Sequence, residues 1–84
     1  MVRVVVGEGM SIEFTSNALA RMLDRSIGED EIRAALDAPD HLGPSFENRW
    51  RARKVRGERT LEVIFWRHRN HAEVVTAYWK EAAS

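Results

Sequence analysis

The alternation of hydrophobic and polar positions divides this chain into a helical half and a strand half. Three runs in the second half are rich in β-branched, aromatic and basic residues, with Gly57 and Asn70 in the short gaps between them: residues 49–55, 60–66 and 73–79. β-Branched and aromatic residues favour strands. Connections this short join antiparallel neighbours, because a parallel pair requires a long crossover. The pattern predicts an antiparallel meander across residues 48–79.

The first half predicts two short helices. Apolar residues recur at helical spacing in two stretches: Ala18, Leu19, Met22 and Leu23, then Ile32, Ala35 and Leu36. Thr15 or Ser16 is suited to the N-cap of the first helix, because a hydroxyl can accept a hydrogen bond from a free backbone N–H. Gly28 is expected to break this helix, and Pro39 to end the second.

The remaining segments complete an α+β pattern. Residues 11–14 form the secure first strand, and residues 2–6 are either its hairpin partner or a frayed extension. Residues 40–47 are predicted to be a loop. The order β-α-α-β-β-β predicts an antiparallel sheet with two helices packed on one face. One domain is expected over residues 1–84, with its secure core at about residues 11–80.

Composition indicates the cellular location of the protein but not its function. The chain contains no cysteine, which excludes disulfides and thiolate metal sites. No apolar run reaches the roughly 20 residues that span a bilayer, and no signal-peptide pattern opens the chain. A cytoplasmic protein without a membrane partner is therefore expected.

Charge is distributed unevenly along the chain, although its net value is zero. Residues 1–47 contain four Lys/Arg and nine Asp/Glu, a balance of −5. Residues 48–80 contain nine Lys/Arg and three Asp/Glu, a balance of +6. A basic sheet joined to acidic helices indicates binding of phosphates or of an acidic protein.

A row of arginines on the first basic strand is the most informative feature. Side chains alternate between the two faces of a strand, so one face carries three guanidiniums: Arg49, Arg51 and Arg53. Arginine matches phosphate and carboxylate groups through two parallel hydrogen bonds. The row either binds phosphates or an acidic partner, or it is a solvated face paired across the sheet with Glu62 or Glu73.

Two sets of residues resemble a widespread small bacterial domain family of unknown function, over roughly residues 11–80. The helical half carries the first set: Phe14-Thr15-x-x-Ala18-Leu19-x-Arg21-Met22-x-x-Arg25-x-Ile27, then Glu31-Ile32 and Ala38-Pro39. The strands carry the second: Arg49-Trp50-Arg51-Ala52, Leu61-Glu62-Val63-Ile64 and Val74-Val75-Thr76-Ala77-Tyr78-Trp79. The family usually opens with Thr-x-His-Ala-x-x-Arg-Met-x-x-Arg-x-Ile, and this chain has Asn17 in place of the histidine.

That family is grouped with RelE/ParE-like toxins, so the resemblance implies the same strand, two-helix and sheet plan. RelE-like toxins cut mRNA on the ribosome without a metal, ParE-like toxins act on DNA gyrase, and most are neutralised by an antitoxin protein. The resemblance implies a toxin-like domain that acts as a metal-independent endoribonuclease without a cofactor, with RNA or the ribosome and an antitoxin as partners. A non-catalytic protein- or nucleic-acid-binding module is the alternative, because Asn17 cannot titrate.

Candidate site residues follow from the basic strand and from the resemblance. Basic and aromatic groups on the sheet are assigned to catalysis: Arg51, Arg53, Tyr78 and Lys80. Further basic residues are assigned to nucleic-acid or partner binding: Arg49, Lys54, Arg56, Arg21 and Arg25. Cations can stabilise the charge that develops on phosphate oxygens during RNA cleavage. Tyr78 could act as an acid or base if its pKa were lowered; otherwise it is a half-buried tyrosine with its hydroxyl at the rim.

Other side chains have simpler interpretations. Three tryptophans are interpreted as core residues rather than stacking platforms: Trp50, Trp66 and Trp79. Arg21 or Arg25 either pairs with an acid of the second helix or lies at the mouth of the sheet cleft. His68 and His71 are interpreted as a solvated turn, since a zinc site needs three or four ligands, and no metal is expected. His41 is the remaining candidate base.

A homodimer is a further hypothesis. The second and third basic-half strands are apolar on both faces, with the following residues contributing: Ile64, Trp66, Val75 and Trp79. If the two short helices cover only one of those faces, the uncovered face or a strand edge would favour pairing of two copies.

Overall fold

The computed structural model describes residues 2–6 and 10–81, with side chains from residue 11 onward. Its elements follow in chain order: β1 (Val2–Val6), β2 (Met10–Phe14), α1 (Ser16–Asp24), α2 (Glu29–Asp37), β3 (His41–Pro44), a 3-10 turn (Phe46–Asn48), β4 (Trp50–Arg56), β5 (Arg59–Arg67) and β6 (His71–Glu81). Each helix has nine residues, and no helix in the described ranges is long and apolar enough to cross a membrane.

The strands form one mixed sheet in the order β1-β2-β6-β5-β4-β3. β4, β5 and β6 are antiparallel neighbours, which confirms the predicted meander. β2, however, runs parallel to β6, so the prediction of an antiparallel sheet is wrong for this pair. Two helices and three strands separate β2 from β6 in the chain, and this length allows β6 to return in the same direction. The α+β class and the two helices are confirmed.

Two strands lie outside the predicted β-α-α-β-β-β order. β1 pairs antiparallel with β2, so the hairpin alternative describes the N-terminus. β3 lies inside the predicted loop at residues 40–47 and pairs with β4. Asp40 directs this pairing, because its N–H donates to the Arg53 carbonyl and its Oδ2 accepts from the Val55 N–H, each at 2.8 Å. Pro44 is tolerated in β3 because this strand lies at a sheet edge, where a missing N–H costs little.

Both helices pack on one face of the sheet. The core cluster joins them to the strand positions that face them: Ile12, Phe14, Ala18, Met22, Ile27, Ile32, Ala35, Ala52, Leu61, Val63, Phe65, Ala72, Val74 and Ala77. Leu23 was predicted on the buried stripe of α1 but is 84% exposed, because the narrow contact of a nine-residue helix with the sheet buries Ala18 and Met22 instead. We call the opposite side of the sheet the open face; Glu62 and Ile64 lie on it.

Helix α1 ends in a Schellman motif at Ser26. The backbone φ of Ser26 is 55°, in the left-handed region, and the Ile27 N–H donates to the Met22 carbonyl at 2.8 Å. This bond and the left-handed residue define the motif. The prediction that Gly28 breaks the helix is therefore wrong, since Gly28 is the N-cap of α2.

Replacing Ser26 by glycine is expected to stabilise the protein by about 0.5–1 kcal/mol. A side chain in the left-handed region costs roughly 1 kcal/mol, and glycine avoids this cost. Urea denaturation of the two proteins would measure the difference. Ser45 is a matched control because its φ is −128°; glycine there should give no stabilisation, and an equal gain at both positions would contradict the backbone argument.

A β-bulge in β6 decides which side chains reach the open face. The register between β5 and β6 shifts between Ile64 and Phe65, and Val75 is the extra residue on β6. One extra residue inverts the alternation of all side chains beyond it. Tyr78 and Lys80 therefore lie on the open face, whereas an unbroken strand would have turned both toward the helices.

The N-terminus of α1 is bonded to this bulge. Thr15 Oγ1 and Asn17 Nδ2 donate to the Val75 carbonyl oxygen at 3.3 and 3.2 Å. Thr15 Oγ1 also accepts from the Ala18 N–H at 3.0 Å, which confirms Thr15 as the N-cap. Asn17, at the position where the resembled family has histidine, thus links the first helix to the bulge.

Candidate functional site

The four side chains assigned to catalysis lie together on the open face. Arg53 is opposite Glu62 of β5, and Glu62 is opposite Tyr78 of β6. Arg51 is the next open-face residue on β4, and Lys80 is the next on β6. The fold therefore brings together residues that are up to 29 positions apart in the sequence.

Glu62 is the centre of this group. Its side chain is fully buried, with 0% exposed. Arg53 Nε donates to Glu62 Oε1 at 2.8 Å, and Arg51 Nε lies 3.4 Å from the same oxygen. Lys80 Nζ lies 3.9 Å from Oε2. We call Glu62, Arg51, Arg53, Tyr78 and Lys80 the Glu62 cluster.

Burial and neighbouring charges act in opposite directions on the Glu62 carboxyl. Burial raises its pKa, but the Tyr78 hydroxyl, Arg53 and Lys80 together outweigh burial and hold the pKa below its ordinary value of 4.5. The carboxylate is therefore ionised at neutral pH. Burial and Glu62 raise the pKa of Tyr78 to about 12, against the smaller effects of Arg51 and Arg53. The lowered pKa considered for Tyr78 is wrong, and its hydroxyl stays protonated.

The cluster presents positive charge to solvent. Three cations around one carboxylate leave a net charge of +2. The exposed fractions of the cationic side chains are 33% for Arg51, 32% for Arg53 and 49% for Lys80. A cavity of about 150 Å³ lies beside them, lined by Arg53, Thr60, Lys80 and Glu81. Cations that are held at a buried carboxylate and remain partly exposed are suited to bind an anion.

His41 extends the same row of the sheet. It is the β3 partner of Arg53 in the register, and directly paired residues project from the same face. The imidazole of His41 lies beside Gly43, the next open-face position of β3, since a Cβ added at Gly43 would lie 3.5 Å from His41 Cε1. The side chain of His41 is exposed, so the candidate base lies at the edge of the open face.

The other basic strand residues are divided between the two faces. Arg49, predicted within the first basic strand, immediately precedes β4 and lies on the open face. Lys54 lies on the helix side, where Nζ donates to the Ala38 carbonyl at 2.8 Å. Arg56 alternates to the same side as Lys54 and is exposed. Lys54 and Arg56 therefore do not join the predicted basic surface.

Arg21 and Arg25 lie in the helical layer, away from the cluster. Arg21 Nη1 pairs with Asp24 of its own helix at 3.4 Å. Arg25 Nη1 donates to the Ala77 carbonyl at 2.8 Å. The predicted ion pair to the second helix is wrong, because both guanidiniums find nearer partners in α1 and β6.

The histidine turn is held by carboxylates. His68 and His71 are stacked, with ring centroids 4.3 Å apart. His68 Nε2 lies 3.2 Å from Glu73 Oε1, and His71 Nε2 lies 3.7 Å from Glu13 Oε1.

Two acids were predicted as cross-strand partners of the arginine row. Glu62 pairs with Arg51 and Arg53, whereas Glu73 contacts His68. Within residues 11–81, no group of three or more His, Cys, Asp or Glu side chains is arranged to hold a metal.

The three tryptophans divide between the two faces. Trp50 and Trp79 pack partly buried against the core cluster, as predicted. Trp66 follows Glu62 and Ile64 on the open face. The core interpretation is therefore wrong for Trp66.

Sequence reasoning missed the central role of Glu62. Glu62 was expected only as one of two possible cross-strand partners of the arginine row. A signal was present, since Glu62 is the one charged residue in the apolar run 61–66. No such signal marks the bulge, because Val74-Val75-Thr76 reads as an uninterrupted strand.

Comparison with known proteins adds no family. No protein-family model matches this chain, and no curated protein or solved structure is significantly similar to it. The resemblance to RelE/ParE-like toxins stays a prediction, and the function is inferred from the geometry of the open face.

Proposed function

We propose that this chain is a toxin-like domain that binds the phosphate backbone of RNA on its open face and cleaves it at the Glu62 cluster. One observation carries the proposal, namely the convergence of three partly exposed cations on a buried carboxylate. A buried ion cluster rarely gives more stability than apolar packing. Its position on a face that the helices do not cover therefore supports a role in binding.

RNA cleavage by side chains alone needs charge stabilisation and two proton transfers. The 2′-oxygen attacks the adjacent phosphorus and the bond to the 5′-oxygen breaks, which leaves a 2′,3′-cyclic phosphate and a 5′-hydroxyl. Arg51, Arg53 and Lys80 would stabilise the phosphorane oxygens. His41 would accept the 2′-hydroxyl proton, and Tyr78 would donate a proton to the leaving oxygen.

Glu62 has a positioning role in this scheme. Its side chain is fully buried, so it does not reach a substrate in this conformation. Its charge holds the two guanidiniums side by side, at 2.8 and 3.4 Å from one oxygen. Preorganised charge of this kind requires no rearrangement when negative charge develops on the phosphate.

RNA binding without cleavage is the second candidate. Two observations favour it: the Glu62 carboxylate is inaccessible, and the pKa of Tyr78 is about 12. Glu62 can then exchange no proton with a substrate, and a hydroxyl with a raised pKa is a weaker proton donor to the leaving oxygen. Both candidates predict the same dependence of binding on salt and differ only in the products.

Incubation of the purified protein with 5′-labelled single-stranded RNA would test the proposal. Parallel reactions would contain EDTA or added Mg²⁺. Cleavage in both, with 2′,3′-cyclic phosphate ends, is the expected result. Binding of RNA that stays intact would select the second candidate. The absence of both binding and cleavage would reject the proposal.

A double variant, Arg51→Ala with Arg53→Ala, is expected to weaken RNA binding and to flatten its salt dependence. Each lost phosphate contact reduces the slope of log affinity against log salt by about 1, so the pair should reduce it by about 2. In a bacterial host, the same variant should relieve an arrest of translation that the parent protein causes, measured by pulse labelling.

The control removes the same charge from the helical layer, with Arg21→Ala and Arg33→Ala. Both of these arginines pair with acids of their own helices. An equal change of salt slope in the two double variants would contradict a specific role of the open face. Arrest of replication rather than translation would favour the gyrase-directed branch, and capture of a co-expressed antitoxin would support the toxin-like assignment.

A further inference from the structure

Trp66 is the tryptophan on the same face as the Glu62 cluster, and Arg49 lies over it. The Arg49 Cζ is 5.4 Å from the centroid of the Trp66 ring. We propose that Trp66 and Arg49 form a stacking subsite for a nucleobase of the RNA whose phosphates bind the Glu62 cluster. This inference rests on the proposed function. It adds a contact to a nucleobase, whereas the cations of the Glu62 cluster contact only the phosphates.

The backbone before β4 is built to place Arg49. Two successive non-glycine residues, Glu47 and Asn48, have φ values of 54° and 65°, in the left-handed region. The turn is closed by hydrogen bonds from the Arg49 N–H to the Phe46 carbonyl at 3.0 Å and from the Ser45 N–H to the Arg49 carbonyl at 2.8 Å. Strained backbone of this kind persists where the surrounding structure requires one conformation, and such positions are concentrated at binding sites.

Several buried polar atoms of open-face residues have no hydrogen-bond partner in the described part of the chain. Among residues 11–81, three buried side-chain atoms have no hydrogen-bond partner: Arg49 Nε, Arg51 Nε and Glu62 Oε2. All three belong to open-face residues. Buried polar atoms are nearly always paired in folded proteins. Arg51 Nε and Glu62 Oε2 have charged neighbours within the Glu62 cluster, at 3.4 Å and 3.9 Å. Arg49 Nε has no such neighbour among the described residues, so a polar group of a ligand is its natural partner.

The spacing suits a strand of RNA that runs along β5. Trp66 is four residues beyond Glu62 on this strand, a distance of about 13 Å at 3.3 Å per residue. Arg51 lies between them, opposite Ile64. Phosphates can therefore contact Arg53 and Arg51 while a base stacks against the pair formed by Arg49 and Trp66.

Contact between arginine and tryptophan alone would not support a subsite. Arg67 lies 5.4 Å from the Trp50 ring, and Arg59 lies 4.1 Å from the Trp79 ring. Those two rings pack against the core on the helix side. Of these three pairs in the described residues, the pair of Arg49 and Trp66 lies on the open face with the Glu62 cluster, and this position distinguishes it.

The test compares two ligands of equal length, a 2′-O-methyl oligonucleotide and an abasic 2′-O-methyl strand, neither of which can be cleaved. The parent protein is expected to bind the strand with bases about tenfold more tightly, the usual effect of one stacked base. Trp66→Leu should remove this preference and leave affinity for the abasic strand unchanged. Trp50→Leu, the matched control on the helix side, should retain the preference.

A second variant, Arg49→Gln, keeps the tryptophan and should also lose the preference, so the test does not depend on the folding of Trp66→Leu. Equal affinity of the parent protein for both ligands would overturn the subsite, as would equal weakening of both by Trp66→Leu. If the abasic strand still binds and Arg51→Ala with Arg53→Ala weakens it, the proposed function stands without the subsite. If neither strand binds, both inferences are rejected.

Discussion

Replacing Glu62 by glutamine is expected to destabilise the protein by about 3 kcal/mol at neutral pH. Glutamine has the same shape, but it cannot balance the charge of the three cations around it. Removing one member of a buried ion pair typically costs about 3–5 kcal/mol, and the lower value applies here because the cations are a third to a half exposed. Urea denaturation at pH 7 would measure the loss.

The pH dependence of this loss identifies its cause. The pKa of Glu62 is lowered in the folded protein, so its contribution to stability is present above the ordinary value of 4.5 and disappears as the pH falls through the lowered pKa. The difference between the parent protein and Glu62→Gln should therefore shrink in acid. Glu58→Gln, at an exposed acid in the β4–β5 turn, should change stability by less than about 0.5 kcal/mol. A difference of equal size at pH 3 and pH 7 would show that packing, not charge, is responsible.

Replacing His41 by alanine is expected to slow RNA cleavage about 10²- to 10⁴-fold, the usual contribution of a general base. His41 is exposed on the edge strand and shares a row with Arg53 and Glu62. The loss should fall on the cleavage rate rather than on binding, because the cations that contact phosphate are untouched. Single-turnover cleavage and equilibrium binding of a non-cleavable strand would separate the two.

His68→Ala is the matched control for this experiment. His68 is also an exposed histidine, but it lies in the β5–β6 turn, where it contacts Glu73. Its removal should leave the cleavage rate within about twofold of the parent value, since a surface residue outside the site contributes little. An unchanged rate in His41→Ala would remove His41 from the mechanism and leave the cleavage step without its proposed base.

Local patterns in the sequence predicted the elements that depend on neighbours in the chain. The period of the apolar residues located both helices, and the strand runs located the meander of β4, β5 and β6. Thr15 or Ser16 was expected as the N-cap of α1, and the bond that Thr15 accepts comes from Ala18, only three residues away. The row of arginines was also evident, since alternation along a strand is a local property.

Features that depend on distant partners could not be predicted in this way. β3 forms because Asp40 bonds to Val55, 15 positions away. The bulge at Val75 is bonded to Thr15, 60 positions away. No periodicity in either segment records these contacts, and a run of β-branched residues gives the same pattern with or without a bulge.

The sequence by itself indicated four of the five residues of the Glu62 cluster, and the tertiary structure decided how they are arranged around the fifth, Glu62. Arg51 and Arg53 were candidates because of the basic strand, and Tyr78 and Lys80 because the resemblance to RelE-like toxins implies aromatic and basic groups at the end of the last strand. Their convergence on Glu62 depends on the strand register and on the inverted alternation beyond the bulge. Burial of the carboxylate, the raised pKa of Tyr78 and the exposure of the cations all follow from that convergence, because each is a property of neighbours in space rather than in sequence.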